Sequence, residues 1–210
     1  MKILFQGDSI TDGCRDRRLP HNIGWGYPLY ATRYIKERHP DMEFEFLNFG
    51  ISGNQTYDLV CRWTTDCIEW QPDIVSILVG VNDTWHRAHD RQGLSDEAFE
   101  ENYRTLLERV KNETNAKIII LEQFLLPSVD KEYFREDINP KIMITRKLAR
   151  EYADVYVPTD GLFAAKCVER DSLYWSEDAV HPNNNGSAFI GNLYADAVDQ
   201  VLNIMAKENF

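Results

Sequence analysis

The stretch Lys2–Ser9, KILFQGDS, joins a short apolar run to a glycine-containing turn that ends in a serine. An uninterrupted apolar run of this length is typical of a strand that is buried on both faces, as in a parallel sheet. Gly7 permits a tight turn after the strand. We therefore expect Ser9 to lie at the carboxyl end of the first strand, where open α/β sheets place their binding sites.

Strand-like runs alternate with segments of helical periodicity along the rest of the chain. The predicted strands are Lys2–Gln6, Glu43–Asn48, Ile74–Val79, Lys117–Glu122 and Val155–Pro158, and the predicted helices cover residues 26–38, 55–69, 96–113, 139–151 and 185–206. Residues 10–25, 84–94 and 123–137 are predicted to be irregular. The alternation predicts an α/β fold, with a five-stranded parallel sheet between two helical layers. No linker-like tract divides the chain, so residues 1–210 are expected to form one domain.

Charge and composition narrow the possible partners. The chain has 210 residues, 43% of them hydrophobic, and a formal charge of −11. This charge argues against nucleic acid or an anionic membrane as a partner, and no apolar run approaches the roughly 20 residues of a membrane span. The cysteines lack C-x-x-C spacing, and without a secretory signal we expect free thiols and a cytoplasmic protein. The sequence allows either a monomer or a homo-oligomer.

A second motif, Asp178-Ala179-Val180-His181-Pro182, lies near the other end of the chain. A carboxylate and an imidazole three residues apart on one turn can meet, so that Asp178 holds Nδ1–H and leaves Nε2 free as a base. Such a base needs a nucleophile, and Ser9 supplies one if the fold brings it beside His181. The alternatives are a serine that caps a helix and a local hydrogen-bonded turn.

Two turns of small and amide residues follow the second and third predicted strands. The first, residues 48–54, contains Gly53, and the second, residues 80–83, contains Asn82. A glycine amide and an asparagine side chain are the donors that an oxyanion hole needs, because they offer N–H groups without adding a competing base. Ordinary turn chemistry is the alternative explanation for each motif taken singly.

Together these four motifs resemble the conserved blocks of the SGNH hydrolases, a branch of the GDSL-type esterases. The matching stretches are GDSITD around Ser9, N-x-G-I-S-G ending at Gly53, GVND with Asn82, and D-x-x-H-P from Asp178. They occur in the family's order and span nearly the whole chain. The resemblance implies a flavodoxin-like fold, a catalytic triad of Ser9, His181 and Asp178, and an oxyanion hole formed by the Ser9 amide with Gly53 and Asn82.

Further stretches resemble bacterial acetylesterases that deacetylate xylan or xylo-oligosaccharides. They lie around Trp25-Gly26-Tyr27, residues 50–54, Asp58-Leu59 with Arg62-Trp63, and residues 81–85. The resemblance implies that the substrate is a small ester of an acetylated sugar and that the reaction needs no cofactor. Aromatic rings near the motif loops can stack on sugars, although packing in the core or rim is the alternative. The candidate substrate-binding residues are Asp8, Trp25, Trp85, Tyr174 and Trp175.

Other functions remain open at this point. The same triad would serve a broad-specificity carboxylesterase, a thioesterase or a lysophospholipase. A noncatalytic module holding flavin or phosphate at residues 7–11 is a rival, but it has no use for Asp178 and His181. Metal-dependent hydrolysis on His86, His89 and Asp90 lacks a partner motif elsewhere, so we expect no metal.

Overall fold

The computed structural model describes residues 1–90 and 93–208, with the backbone alone at residues 89 and 90. Five parallel strands form one sheet in the order β2-β1-β3-β4-β5. This is the strand order of flavodoxin-like folds. The strands are β1 (Lys2–Gly7), β2 (Glu45–Asn48), β3 (Ile74–Leu78), β4 (Lys117–Leu121) and β5 (Val155–Val157). The predicted class and all five strands are confirmed, with ends shifted by at most two residues.

Helices connect the strands and cover both faces of the sheet. They are α1 (Ser9–Asp12), α2 (Tyr27–Arg38), α3 (Thr56–Asp66), α4 (Val81–Asp90), α5 (Asp96–Glu113), α6 (Arg135–Tyr152), α7 (Thr159–Glu169) and α8 (Asn184–Glu208). Short 3₁₀ segments occur at 68–70, 129–134 and 172–174. The prediction missed α7, and it assigned most of α4 to an irregular segment, which is wrong.

Alternate side chains of the strands enter two hydrophobic clusters, one on each face of the sheet. Phe5 of β1 packs against Tyr194 of α8, with ring centroids 4.9 Å apart. Leu4 faces the opposite cluster, in which Trp63 of α3 donates its indole N–H to the carbonyl of Leu106 at 3.1 Å. Burial on both faces explains why β1 is apolar without alternation, because neither side of the strand meets water.

The longest helix, α8, crosses α2 at close range on one face of the sheet. A methyl group at Gly191 would lie 2.6 Å from the Tyr30 side chain and 2.8 Å from the Ala31 backbone nitrogen. The small residue thus allows the two helix backbones to approach. Within the described residues, no helix combines the length and apolar character that a membrane crossing requires.

Candidate active site

Ser9 lies at the tight junction between β1 and α1. The Asp8 carboxylate caps the helix by accepting the Ile10 N–H at 3.0 Å. A methyl group at Gly7 would lie only 2.2 Å from the Leu78 carbonyl oxygen, so glycine is required where the turn passes the end of β3. The first strand therefore delivers Ser9 to the carboxyl edge of the sheet, as predicted from its position in the sequence.

Asp178 and His181 lie on one turn before α8. The Asp178 Oδ1 accepts the backbone N–H groups of Val180 at 3.0 Å and His181 at 2.7 Å. Ala179 adopts a left-handed conformation with φ of 68°, which costs a non-glycine residue roughly 1 kcal/mol. Its carbonyl accepts the Leu126 N–H at 2.9 Å, so the turn is tied to the segment after β4.

The fold brings the two ends of the chain into contact at this point. The Ser9 hydroxyl lies 2.9 Å from His181 Nε2, and His181 Nδ1 lies 2.7 Å from Asp178 Oδ2. Ser9 and His181 are 172 positions apart in the sequence. This is the linear order of a hydroxyl, an imidazole and a carboxylate that activates a serine for nucleophilic attack.

The charges of this group favour a basic imidazole beside an ionised carboxylate. The hydrogen bond to Asp178 raises the pKa of His181, and partial burial opposes that effect. Burial raises the pKa of Asp178, but hydrogen bonds from the His181 side chain and backbone outweigh it and hold the pKa below its ordinary value. These interactions therefore hold Asp178 as a carboxylate beside the imidazole.

The glycine and asparagine motifs lie at the same edge of the sheet, with Gly53 in the loop after β2 and Asn82 at the start of α4. Gly53 is exposed and has a left-handed φ of 85°, which favours glycine there. The Ser52 N–H donates to Asp12 at 2.9 Å, which fixes this loop against α1. The Asn82 side chain donates to the Asn54 carbonyl at 3.1 Å. An amide nitrogen carries two protons, so one N–H of Asn82 remains for a second acceptor.

Two residues to which the sequence analysis gave no role hold the Gly53 and Asn82 motifs in place. Asp83 accepts the Thr56 backbone N–H at 3.1 Å and its hydroxyl at 2.6 Å, and burial raises the pKa of Asp83 to about 6. Arg62 donates to the Phe49 carbonyl at 2.8 Å and to the Asn54 side chain at 2.8 Å. The sequence does contain a signal for Arg62. It is a charged residue next to the apolar face of the predicted helix 55–69, and charged residues are seldom buried unless they are paired.

Asp8 lies beneath Ser9 and is only 1% exposed. Its Oδ2 is buried and has no hydrogen-bond partner among the described residues. Burial raises the pKa of Asp8 to about 7, against the lowering effects of the Ile10 N–H and the nearby His181. The structure thus places this candidate substrate-binding residue below the site, as a helix cap.

The four aromatic candidates occupy different environments. Trp25 is 75% exposed and lines the cleft beside Ser9. Trp85 is half-buried, with its ring centroid 6.5 Å from that of His181. Tyr174 is exposed but does not line this cleft, and Trp175 is buried against Phe163 and Phe189. Trp25 and Trp85 are therefore the two aromatic candidates that the fold brings to the site.

A cleft of about 830 Å³ opens beside Ser9 and His181. One wall is the segment after α1, with Trp25 next to it, and the other is the start of α8. Its volume lies in the range of small-molecule sites. Polar and charged side chains are numerous in its lining, although apolar atoms form the larger part of its surface; the lining residues are Ser9, Ile10, Asp12, Gly13, Cys14, Arg15, Asp16, Arg17, Arg18, Trp25, Gly26, Ser52, His181, Pro182, Asn183, Asn184 and Ser187.

The metal alternative rested on His86, His89 and Asp90. The side chains of His89 and Asp90 lie outside the described residues. Within residues 1–88 and 93–208, no group of three or more His, Cys, Asp and Glu side chains is arranged to hold a metal ion.

Comparisons with known proteins agree with this geometry. The model of the GDSL-like lipase/acylhydrolase family matches residues 5–189. A curated acetylxylan esterase from Geobacillus stearothermophilus is 30% identical over 203 residues, which cover 92% of this chain and 91% of that protein.

Solved structures show the same relationship. A GDSL-like lipase from Parabacteroides merdae superposes with a TM-score of 0.89 at 34% identity, covering 95% of each chain. Axe2, an acetylxylan esterase from Geobacillus stearothermophilus, superposes with a TM-score of 0.86 at 27% identity, covering 94% of this chain and 93% of its own. The fold and the family therefore agree with a carboxylic ester hydrolase, and the chain belongs to the GDSL-like lipase/acylhydrolase family.

Proposed function

We propose that this protein is a serine esterase that removes acetyl groups from acetylated sugars, with acetylated xylo-oligosaccharides as representative substrates. The proposal rests on the contact of Ser9 Oγ with His181 Nε2 at 2.9 Å. His181 Nδ1 in turn lies 2.7 Å from Asp178 Oδ2. Solved variants of Axe2 described as catalytic mutants each replace one serine, one aspartate or one histidine by alanine. Their aspartate and histidine are three positions apart, the spacing of Asp178 and His181.

In the proposed mechanism His181 Nε2 takes the hydroxyl proton of Ser9 while Oγ attacks the carbonyl carbon of the ester. The negative charge that develops on the carbonyl oxygen accepts hydrogen bonds from the Ser9 amide, the Gly53 amide and the Asn82 side chain. His181 then gives its proton to the departing alcohol oxygen, which leaves an acetyl group on Ser9. In the second half of the reaction, His181 takes a proton from water, which attacks the acetyl carbonyl and releases acetate from Ser9. Asp178 remains ionised throughout.

The cleft supports a sugar as the alcohol half of the ester. Its lining combines hydroxyl, amide and charged side chains with apolar surface, and Trp25 offers an exposed indole of the kind on which sugar rings stack. A long acyl chain would need a continuous apolar channel, whereas this cleft includes charged side chains. These features favour an acetylated sugar over a lysophospholipid or a long-chain ester.

The test is a substrate panel read by the initial rate of hydrolysis. We expect kcat/KM to be higher for acetylated xylo-oligosaccharides than for simple acetyl esters and to fall steeply when acetyl is replaced by butanoyl or octanoyl. Ser9→Ala should abolish turnover in a folded protein, since it removes the nucleophile. Normal turnover in Ser9→Ala would refute the mechanism, and a preference for octanoyl or thioester substrates would refute the substrate class.

A further inference from the structure

Three arginines, Arg15, Arg17 and Arg18, line one wall of the cleft beside Ser9. We refer to them as the arginine wall. Arg17 pairs with Asp12 at 2.5 Å, and Arg18 pairs with Asp16 at 2.7 Å. Two carboxylates thus face three guanidinium groups, so the wall carries an excess positive charge. This excess is notable because the whole chain has a formal charge of −11.

Arg15 is the member of the arginine wall whose guanidinium forms no ion pair with another described residue. It is only 8% exposed, and its Nε donates to the Gly50 carbonyl at 3.0 Å. Its guanidinium lies 5.8 Å from the centre of the Phe49 ring, and its Nη1 is buried with no hydrogen-bond partner among the described residues. A buried cation without an ion pair is costly, and an anion bound in the cleft would lower that cost.

We propose that the alcohol half of the ester is an anionic sugar, whose negative group is bound by the arginine wall. The inference rests on the proposed function and adds the charge of the substrate to it. Ser9 and His181 line the same cleft as the arginine wall, so one ligand can reach both. Guanidinium groups bind carboxylates, sulfates and phosphates through paired charge-assisted hydrogen bonds. Trp25, exposed at the same cleft, provides a surface for the ring that carries the charge.

Calorimetric titration of the whole protein tests the inference without relying on turnover. The probes are D-glucuronate, D-glucose 6-phosphate and neutral D-glucose. We expect at least one of the two anions to bind about tenfold more tightly than glucose at low ionic strength. The difference should shrink in about 1 M salt, where charges are screened within roughly 3 Å. The stronger of the two anions identifies the group as carboxylate or phosphate, and equal binding of all three sugars overturns the inference.

A charge-deleting variant locates the site. Arg15→Gln keeps an amide donor near the Gly50 carbonyl but removes the charge, so we expect it to lose the tenfold preference for the anion. Arg15→Lys keeps the charge and should retain part of that preference. Arg33→Gln is the control, because Arg33 lies on α2 and pairs with Glu37 at 2.8 Å. An unchanged preference in Arg15→Gln would overturn the role of Arg15.

The two proposals fail in distinguishable ways. Selective binding of an anionic sugar without ester hydrolysis would remove the proposed function and leave the arginine wall as an anion site. Hydrolysis of acetylated neutral sugars without any preference for anions would leave the function in place and remove this inference. If Arg15→Gln does not fold, the salt dependence of binding to the unaltered protein decides the question.

Discussion

Replacing Asp178 by asparagine is the sharpest test of the arrangement around His181. In the structure Asp178 Oδ1 accepts two backbone N–H groups and Oδ2 faces His181 Nδ1 at 2.7 Å. Asparagine has the same shape as aspartate but only one side-chain oxygen. That oxygen is needed for the two backbone donors, so the new NH₂ group turns toward Nδ1. His181 must then accept at Nδ1 and carry its proton on Nε2, facing Ser9.

The wrong tautomer cannot take a proton from the serine. We therefore expect Asp178→Asn to lower kcat/KM about a thousandfold to ten-thousandfold, a loss of roughly 4 to 5.5 kcal/mol of transition-state stabilisation. The pH profile should change as well. Asp178 raises the pKa of His181, and only the neutral imidazole acts as a base, so activity is lost as the pH falls through that pKa. Without the carboxylate this acidic limb should move to lower pH.

The assay is the initial rate of acetate release between about pH 5 and pH 9, with the fold of each variant checked by circular dichroism. Glu177→Gln is the matched control, because it removes one exposed carboxylate from the position before Asp178. We expect this control to keep normal turnover. Near-normal kcat/KM in Asp178→Asn, with an unshifted acidic limb, would refute the assignment of Asp178 as the residue that orients His181.

Three further predictions concern groups around the site. Asn82→Ala should lower kcat about a hundredfold or more at unchanged stability, since it removes one oxyanion donor; normal turnover would exclude Asn82 from the oxyanion hole. Arg62→Lys should lower the free energy of unfolding in urea by about 2 kcal/mol, because one ammonium group cannot bind both Phe49 and Asn54; an unchanged midpoint would contradict this. Asp8→Asn should become more stable relative to the unaltered protein as the pH rises from about 4 to about 8. Burial raises the pKa of Asp8 from 3.8 to about 7, so above about pH 4 the unfolded chain releases a proton that the folded chain keeps, and the unaltered protein loses stability. A pH-independent difference in unfolding free energy would count against that pKa.

The sequence predicted the sheet well because each strand is a short apolar run that is buried on both faces. The helices were harder to predict where their pattern is weak. Val168 in α7 is 88% exposed, so the apolar residues of this helix do not trace a clean stripe. The prediction for α6 began at residue 139, whereas the helix starts at Arg135 and contains Pro140. Contacts of Arg135 with Asp160 and with the Leu125 carbonyl hold its first turn.

The site was predictable where the chemistry is local and was missed where it depends on distant contacts. The spacing of Asp178 and His181 is visible in the sequence, since both lie on one turn. The contact of Asp83 with Thr56 joins positions 27 apart, and Arg15 reaches Gly50 across 35 positions. No periodicity marks such pairs. They appear only when the parallel strands bring their carboxyl ends to one edge.

The meeting of Ser9 with His181 has a consequence for synthesis on the ribosome. Ser9 is translated directly after the first strand, and His181 is translated only after all five strands. Under the proposed mechanism, a nascent chain that has formed the sheet but lacks His181 has no base to activate Ser9. The same mechanism requires the turn before α8 to lie beside Ser9, so we expect translation products that end before His181 not to hydrolyse esters.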